Sequence, residues 1–308
     1  MYKSAPYLEE FRRRAGAAVA TVSPDYEIVF VDDGSPDESL RIARRLLDGD
    51  PHVRIVELSR NYGHHKAVIA GLQHARGDLV FLLDSDLEEK PELFARFYEV
   101  MTSAPADDPI DVVYGMQARR KGGWVERATG YAFFWLYNRV ADLAVPPHAM
   151  MARLMTRRYL DALLAHPETE LFLLGVMTRT GFRQIGVVAE KGSRDTTTYS
   201  LRRRVIATLD AVTSFSHAPL YVIFWLGLFF STLASAGIVY LLVRIVIFDD
   251  RFLAGWPSVI VVTTLFGGLL LASVGVLGIY LAKVFLEVKR RPRYVVKRVH
   301  EARTTGRP

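Results

Sequence analysis

Residues 27–39 read EIVFVDDGSPDES, and this stretch indicates the fold class. Its first five residues predict a short buried strand that runs directly into Asp32 and Asp33. A capping box, with Ser35 as the N-cap and Glu38 three residues later, predicts that a helix begins there. Further strands are predicted at 53–58, 79–83 and 111–114, and helices at 5–20, 64–75 and from about Pro91. Strands that alternate with helices predict an α/β domain of Rossmann-like type with a mainly parallel sheet.

Carboxylates follow two of these strands at the point where each strand ends. Asp32 and Asp33 close the first strand, and the sequence DSD, with Asp84 and Asp86, closes the third. Ligands of open α/β sheets bind beyond the carboxyl ends of the strands, and clustered carboxylates are costly unless a cation neutralises them. Asp86, helped by Glu88, therefore predicts a site for Mg²⁺ or Mn²⁺ that bridges a diphosphate. Turn-forming and helix-capping aspartates are the alternative, which two clusters at equivalent strand ends disfavour.

Two 25-residue stretches, 219–243 and 258–282, contain no Asp, Glu, Lys, Arg or His. At roughly 1.5 Å per residue each helix would be about 37 Å long, which exceeds the ~30 Å hydrocarbon core of a bilayer. Buried core helices are the alternative, but they rarely extend so far without a charge. The sequence therefore predicts two transmembrane helices.

Basic residues lie on both outer flanks of these stretches. Arg202, Arg203 and Arg204 precede the first, and nine Lys and Arg with two Glu lie between Lys283 and the end of the chain. This pattern predicts an integral membrane protein whose α/β domain and C-terminus are cytoplasmic. The predicted domains are an α/β domain at 1–200, an amphipathic juxtamembrane helix at 201–218, two transmembrane helices at 219–282 and a basic cytoplasmic tail at 283–308.

Composition excludes several classes of function. The net charge of +6 is concentrated beside the membrane stretches and matches no nucleic-acid-binding pattern, so no nucleic acid partner is expected. The chain contains no cysteine, which excludes disulfides and thiolate chemistry. No N-terminal signal peptide is predicted, because residues 1–14 contain no apolar run. Two spans without an intramembrane charge do not suit a transporter.

Three segments carry a resemblance to a known family: residues 27–39, 58–92 (LSRNYGHHKAVIAGLQHARGDLVFLLDSDLEEKPE) and 111–115 (DVVYG). With the motifs DDGS, RNxG, GLxxAxGD and DxD in that order, the chain resembles the GT-A glycosyltransferases that act on dolichyl and undecaprenyl phosphate. Two C-terminal transmembrane helices are similar to the bacterial branch, which implies an integral protein of the bacterial plasma (inner) membrane. The resemblance implies inverting transfer of a sugar from a nucleotide-sugar, most fittingly a UDP-sugar, to polyprenyl phosphate at the cytoplasmic membrane face. Such transfer would serve a cell-envelope glycan or its modification.

The resemblance also implies roles for single positions. Asp33 would hold the base, Asp32 would orient its loop, and Asp84 would face the ribose and diphosphate. The nucleotide-sugar site would comprise Tyr2, Asp32, Asp33, Ser35, Asn61 and Asp84; the metal ligands would be Asp86 and Glu88; the catalytic residues would be Asp86, Arg153 and Arg127; and the acceptor phosphate would meet Arg119, Lys191, Arg194 and Arg203. Each arginine alone is more often a solvated surface residue.

The sequence departs from the family in two places. The family begins with a strand that precedes the aromatic position held here by Tyr2, so we expect either a misassigned start site or a truncation. The family's Asp-Phe-Arg-Leu reads here Met151-Ala152-Arg153-Leu154, without the acid. A phosphate acceptor with a second pKa of about 6 is already ionised at neutral pH and needs no general base.

Two other functions compete with the interpretation as a polyprenyl-phosphate glycosyltransferase. A processive polysaccharide synthase would carry a Gln-x-x-Arg-Trp motif, which does not occur in the chain. A catalytically weak membrane scaffold that binds a nucleotide-sugar or a partner enzyme agrees with the missing acid, but not with the intact DDGS and DSD motifs.

The predicted partners are a nucleotide-sugar, a polyprenyl-phosphate lipid and the membrane, with a homo-oligomer left open. The aromatic segment 124–140 fits either core packing or membrane contact.

Overall fold

The computed structural model of the protein describes residues 1–117, 146, 149–166, 173–190, 218–248 and 256–302. The helices are α1 (Leu8–Ala20), α2 (Ser39–Gly49), α3 (His64–His74), α4 (Leu93–Thr102), α5 (Arg157–Leu164), α6 (Leu173–Arg179), α7 (Ala218–Phe248) and α8 (Trp256–Val288). The strands are β1 (Ile28–Asp32), β2 (Val53–Leu58), β3 (Leu79–Leu82), β4 (Val112–Gln117), β5 (Ala149–Thr156), β6 (Gln184–Ala189) and β7 (Val296–His300).

The described strands form two mixed sheets, with the orders β1-β2-β7 and β3-β5-β4-β6. The pairs β1/β2 and β4/β6 are parallel. The pairs β2/β7, β3/β5 and β4/β5 are antiparallel. The prediction of a mainly parallel sheet is therefore wrong for this part of the chain. The reason is that β5 and β7 enter between or beside parallel neighbours in the opposite direction, and neither strand was predicted.

Helices cover these sheets with separate apolar clusters. Leu8 and Phe11 of α1 and Leu47 of α2 pack with Phe30 and Ile55 of β1 and β2. A second cluster joins the other sheet to helices α3, α5 and α6 through Ile69, Val112, Met155, Leu160 and Val176. All six residues of β2 are buried, because the strand is central in its sheet.

The capping-box prediction at the start of α2 is wrong. The helix begins at Ser39 with Glu38 as its N-cap, and no side chain caps it. The Ser35 hydroxyl donates instead to Asp37 Oδ1 at 2.6 Å. Asp37 thus competes for the serine, and residues 35–38 form an irregular loop before the helix.

Part of the predicted basic tail is a strand. β7 pairs antiparallel with β2, with Val56 opposite Val299 and Glu57 opposite Arg298. Lys297 Nζ lies 2.6 Å from Glu57 and His300 Nε2 lies 2.8 Å from the same carboxylate. The chain that follows α8 therefore forms an edge strand of the first sheet, paired with β2.

Met1 lies beside the end of β1. Its amine donates to the carbonyl of Val31, and its carbonyl accepts the N–H of Asp33 at 3.1 Å. The expectation of an absent first strand remains a prediction.

Helices α7 and α8 are 31 and 33 residues long, and they touch through Phe230 and Phe266, whose ring centroids lie 5.8 Å apart. Within the described residues, one helical stretch, Leu265–Val288, is long and apolar enough to cross a membrane, and Leu220–Phe230 is a shorter apolar helix. Of the two predicted transmembrane helices, the second is thus matched by Leu265–Val288. The aromatic segment 124–140 and residues 201–217 lie outside the described residues.

Candidate active site

Asp33 fastens the end of β1 to the turn that precedes α3. Its side chain is buried, and its two carboxylate oxygens accept the N–H groups of Tyr62 at 2.7 Å and Gly63 at 2.9 Å. Gly34 adopts a φ of +62°, and a Cβ on this residue would lie 2.7 Å from the backbone nitrogen of Asn61. The DDGS turn and the RNYG turn therefore form one interlocked unit, in which Asn61 contributes backbone packing.

Asp32 is the buried partner of this unit. Its Oδ1 accepts the N–H of Ser35 at 3.3 Å. Burial raises the pKa of the Asp32 carboxyl, the Ser35 N–H opposes that shift, and the charges of Glu57 and Asp33 add to it. An ionised Asp32 is thus disfavoured by its own surroundings, so positive charge nearby would be stabilising.

The DSD turn lies close to the DDGS turn. His64, the first residue of α3, holds Nε2 3.7 Å from Asp84 Oδ1, and it directly follows the Gly63 that Asp33 binds. Burial lowers the pKa of the Met1 amine, and the charges of Asp32, Asp33 and Asp84 oppose that shift. Through Gly63 and His64, the structure therefore connects Asp33 of the DDGS turn with Asp84 of the DSD turn.

The described residues contain no group of three or more His, Asp or Glu side chains arranged to hold a metal ion. Asp86 Oδ1 accepts the N–H of Glu88 at 3.1 Å, which shapes the turn after β3. Mg²⁺ normally takes one or two protein carboxylates and completes its shell with water and substrate phosphate. Asp84 and Asp86, both partly exposed, fit an ion of that kind, and they do not fit a cage built by protein alone.

Residues 2–5 lie against both acidic turns. The N–H of Lys3 donates to Ser35 Oγ at 2.8 Å, and Ser85 of the DSD turn donates to Ser4 Oγ at 3.0 Å. Tyr2 is about half exposed, with 47% of its surface accessible. An exposed ring anchored next to two acidic turns is suited to pack on a planar ligand group.

Arg153 is a core residue of the second sheet. It is 2% exposed, and its guanidinium donates to the carbonyl oxygens of Met150 at 3.2 Å and Met151 at 3.3 Å. Burial lowers the pKa of Arg153, and the nearby Tyr159 and Glu89 oppose that shift. Burial also raises the pKa of Tyr159 to about 12. Sequence reasoning predicted Arg153 as a catalytic residue, and the structure places it within a polar network inside the core.

Arg153 also reaches the wall of a cavity of about 250 Å³, together with Tyr114, Leu174, Phe182 and Gln184. Glu89, which the sequence analysis did not single out, is 1% exposed and accepts the N–H of Met151 at 3.1 Å. Its place directly after the DSD turn was the signal that could have marked it. The contact of His64 with Asp84 was also not predicted from the sequence.

Five predicted site residues lie outside the described residues: Arg119, Arg127, Lys191, Arg194 and Arg203. Their roles remain predictions.

A mixed α/β fold in which a DDGS turn and a DSD turn meet beyond two strand ends defines a GT-A-like glycosyltransferase. Residues 1–163 match the model of glycosyl transferase family 2, and the chain belongs to that family. The resemblance based on the motifs is confirmed.

Relatives match almost the full chain. A protein of Mycobacterium tuberculosis described as a glycosyltransferase is 45% identical over 100% of this chain and 88% of its own length. The bactoprenol glucosyl transferase of Shigella phage SfII is 30% identical over 90% of this chain and 88% of its own length. A prophage bactoprenol glucosyl transferase homolog of Escherichia coli K12 is 31% identical over 90% of both chains.

Proposed function

We propose that this chain transfers a sugar from a nucleotide-sugar to polyprenyl phosphate, of the undecaprenyl type, at the cytoplasmic face of the membrane. The observation that carries the proposal is the meeting of the DDGS and DSD turns, joined through Asp33, Gly63, His64 and Asp84. Relatives that are named bactoprenol glucosyl transferases support the choice of acceptor and suggest glucose as the first sugar to test.

The donor would bind across the two turns. Tyr2 and the Asp32–Ser35 turn would take the nucleoside, and Asp84 and Asp86 would face the diphosphate through Mg²⁺ or Mn²⁺. A divalent ion held there would neutralise the negative charge that develops on the departing nucleoside diphosphate. The partly exposed DSD turn and the buried Asp32 and Asp33 agree with this division, because the reacting phosphates need access while the base site needs rigidity.

The acceptor would supply its own nucleophile. An oxygen of the lipid phosphate attacks the anomeric carbon, the bond from that carbon to the diphosphate oxygen breaks, and the electron pair leaves with the nucleoside diphosphate. The configuration at the anomeric carbon inverts. Because the phosphate is already largely dianionic at neutral pH, Met151 in place of an acid does not block this step.

Membrane placement is supported by the path of the chain. Strands β1, β2 and β7 belong to one sheet, so the chain between β2 and β7 crosses a membrane an even number of times. If Leu265–Val288 spans, a second crossing is required, and α7 with 31 residues is the candidate within the described chain. Large apolar side chains such as Trp225, Phe229 and Leu271 are exposed along both helices, as lipid-facing side chains would be.

The scaffold alternative is kept because Met151 replaces the family's acid. It predicts that the protein binds the nucleotide but transfers no sugar, and a transfer assay distinguishes this outcome from catalysis.

The experiment uses the full-length protein in detergent micelles with radiolabelled UDP-glucose and either undecaprenyl phosphate or undecaprenol. We expect label on the phosphate lipid alone, dependence on Mg²⁺ or Mn²⁺, and loss of transfer in EDTA. Asp86→Asn should lower kcat/KM by on the order of 100-fold or more, as loss of a charge-stabilising group does, at unchanged thermal stability. Asp25→Asn, in an exposed loop, is the control and should behave as wild type.

Full activity of Asp86→Asn would remove the metal assignment. Transfer to undecaprenol would replace the proposed acceptor. UDP binding without transfer to either lipid would favour the scaffold.

A further inference from the structure

The segment formed by residues 2–5 is held by side chains of the loop before α2. Three successive backbone N–H groups, those of residues 3–5, each donate to a side chain from residues 35–39. The distances are 2.8 Å from Lys3 N to Ser35 Oγ, 2.9 Å from Ser4 N to Ser39 Oγ and 3.3 Å from Ala5 N to Asp37 Oδ2.

Asp37 is the centre of this network. Its Oδ1 accepts the hydroxyl protons of Ser35 and Ser39, both at 2.6 Å, and the N–H of Ser39 at 3.2 Å. A serine hydroxyl has one proton and two lone pairs. Because Asp37 takes both protons, the lone pairs of the two serines are turned toward the N–H groups of Lys3 and Ser4.

The network holds a backbone that would not keep its shape alone. Lys3 has a φ of +55°, a left-handed conformation that a non-glycine residue keeps only when its surroundings impose it. Ser39 is fully buried and Ser4 is 6% exposed, so water cannot replace the hydrogen bond between the N–H of Ser4 and the hydroxyl of Ser39. Burial raises the pKa of Asp37, but the hydrogen bonds from Ser35 and Ser39 outweigh it and lower the pKa to about 2. The carboxylate therefore stays ionised at neutral pH.

The same network reaches both acidic turns. Ser35 donates its N–H to Asp32 Oδ1 at 3.3 Å, which connects it to the DDGS turn. Ser4 accepts the hydroxyl proton of Ser85 at 3.0 Å, and Ser85 lies between Asp84 and Asp86. Asp37 thus lies where three segments of the candidate donor site are joined.

We propose that Asp37 is a positioning residue for the nucleoside diphosphate of the donor. It contacts no substrate, and it fixes the placement of residues 2–5 relative to the DDGS and DSD turns. The inference rests on the proposed function, because the site it serves is the proposed donor site.

The test compares Asp37→Ala, Asp37→Asn and Glu38→Gln in the full-length protein. Asparagine keeps an oxygen for the two serines but turns an amide N–H₂ toward the N–H of Ala5, so its effect should fall between wild type and alanine. We expect Asp37→Ala to raise the KM for UDP-glucose and the Kd for UDP by on the order of tenfold. The KM for undecaprenyl phosphate and kcat should stay within about twofold of wild type. Glu38 is an exposed neighbour paired with Arg41, so Glu38→Gln is the matched control. It should change neither the KM for UDP-glucose nor the Kd for UDP.

A second variant keeps the test valid if Asp37→Ala does not fold. Ser35→Ala removes one of the two hydroxyls at a half-exposed position, and it should raise the KM for UDP-glucose in the same direction. Hydrogen exchange of the amides of residues 3–5 should accelerate in the Asp37 and Ser35 variants and remain slow in Glu38→Gln.

Unchanged donor constants in Asp37→Ala, in a protein whose wild type is active, would overturn this inference alone. If Asp37→Ala lowers kcat, raises the KM for both substrates and lowers thermal stability together, the role of Asp37 is structural only, and the inference is also overturned. A wild type that neither binds UDP nor transfers sugar would overturn the proposed function and this inference together.

Discussion

Gly34 shows how a single missing side chain sets the geometry of the candidate site. Its φ of +62° suits glycine, and a Cβ there would lie 2.7 Å from the nitrogen of Asn61 and 2.8 Å from the carbonyl carbon of Arg60. Both are backbone atoms, which cannot rotate away as a side chain can. The close approach of the two turns, and with it the double hydrogen bond of Asp33, therefore depends on glycine at this position.

We predict that Gly34→Ala destabilises the protein by about 2–5 kcal/mol, the sum of the left-handed backbone cost and the steric overlap. Gly181→Ala is the first control, because Gly181 has a φ of +77° but open space around it, so only the backbone cost of about 1–2 kcal/mol should appear. Gly49→Ala, with neither feature, should change stability by less than about 1 kcal/mol. Thermal unfolding of the three variants measures this order, and equal losses for Gly34→Ala and Gly181→Ala would contradict it.

At the same scale, the sequence predicted which residues form the acidic motifs, but not which charged side chains are buried. Asp32, Asp33, Asp84 and Asp86 follow strands directly, so local pattern alone located them. Arg153 was predicted only through the family resemblance, and its burial was not predicted, because a charged residue is normally exposed. Glu89, whose charge opposes the effect of burial on the pKa of Arg153, belongs to a distant part of the chain.

At the scale of elements, strand positions were easier to predict than strand partners. The range 53–58 was predicted for β2 and observed, since its sequence, VRIVEL, is rich in the β-branched residues that favour strands. β5 reads AMMARLMT, and the arginine in its middle concealed it. β7 reads VKRVH and looks like part of a basic tail until Glu57 of β2 provides the opposite charge. Direction and pairing are decided by such distant contacts, which a local pattern does not contain.

Glu57 is therefore the residue on which the attachment of β7 depends. Burial raises its pKa, but hydrogen bonds from Lys297, His300 and Arg44 outweigh burial and lower the pKa to about 2. A carboxyl whose pKa is lower in the folded than in the unfolded protein adds stability above its ordinary value of 4.5. That contribution is lost as the pH falls from 4.5 toward 2.

We predict that Glu57→Gln destabilises the protein at pH 7 by about 1–3 kcal/mol, the usual effect of losing hydrogen bonds to a charged group. The difference from wild type should narrow steadily as the pH is lowered below about 4.5, because wild-type Glu57 then becomes protonated too. Thermal unfolding in detergent at several pH values measures it. Glu38→Gln, which removes only an exposed pair with Arg41, should change stability by less than about 1 kcal/mol at any pH. If the loss of stability in Glu57→Gln does not vary with pH, the ionisation of Glu57 is excluded as its cause.

At the scale of the whole molecule, the first sheet links the two ends of the membrane segment. Strands β1 and β2 precede α7, and β7 follows α8, yet all three belong to one sheet. The catalytic domain and the chain after α8 must therefore lie on the same side of any membrane that the helices cross. The sequence predicted that arrangement from the positions of Lys and Arg, and the pairing of β2 with β7 gives an independent physical reason for it.

Labelling of single cysteines tests this arrangement without background, because the chain has no cysteine of its own. Asp25→Cys reports on the catalytic domain, Arg298→Cys on β7, where the side chain is exposed, and Asp250→Cys on the segment between α7 and α8. With a membrane-impermeant maleimide, we expect positions 25 and 298 to react only in inside-out vesicles, and position 250 only in right-side-out vesicles. Positions 25 and 298 on opposite sides would contradict the pairing of β2 with β7. All three on the cytoplasmic side would mean that α7 and α8 lie on the membrane surface or turn back within it. Both outcomes differ from the proposed hairpin because two crossings place position 250 alone on the outer side.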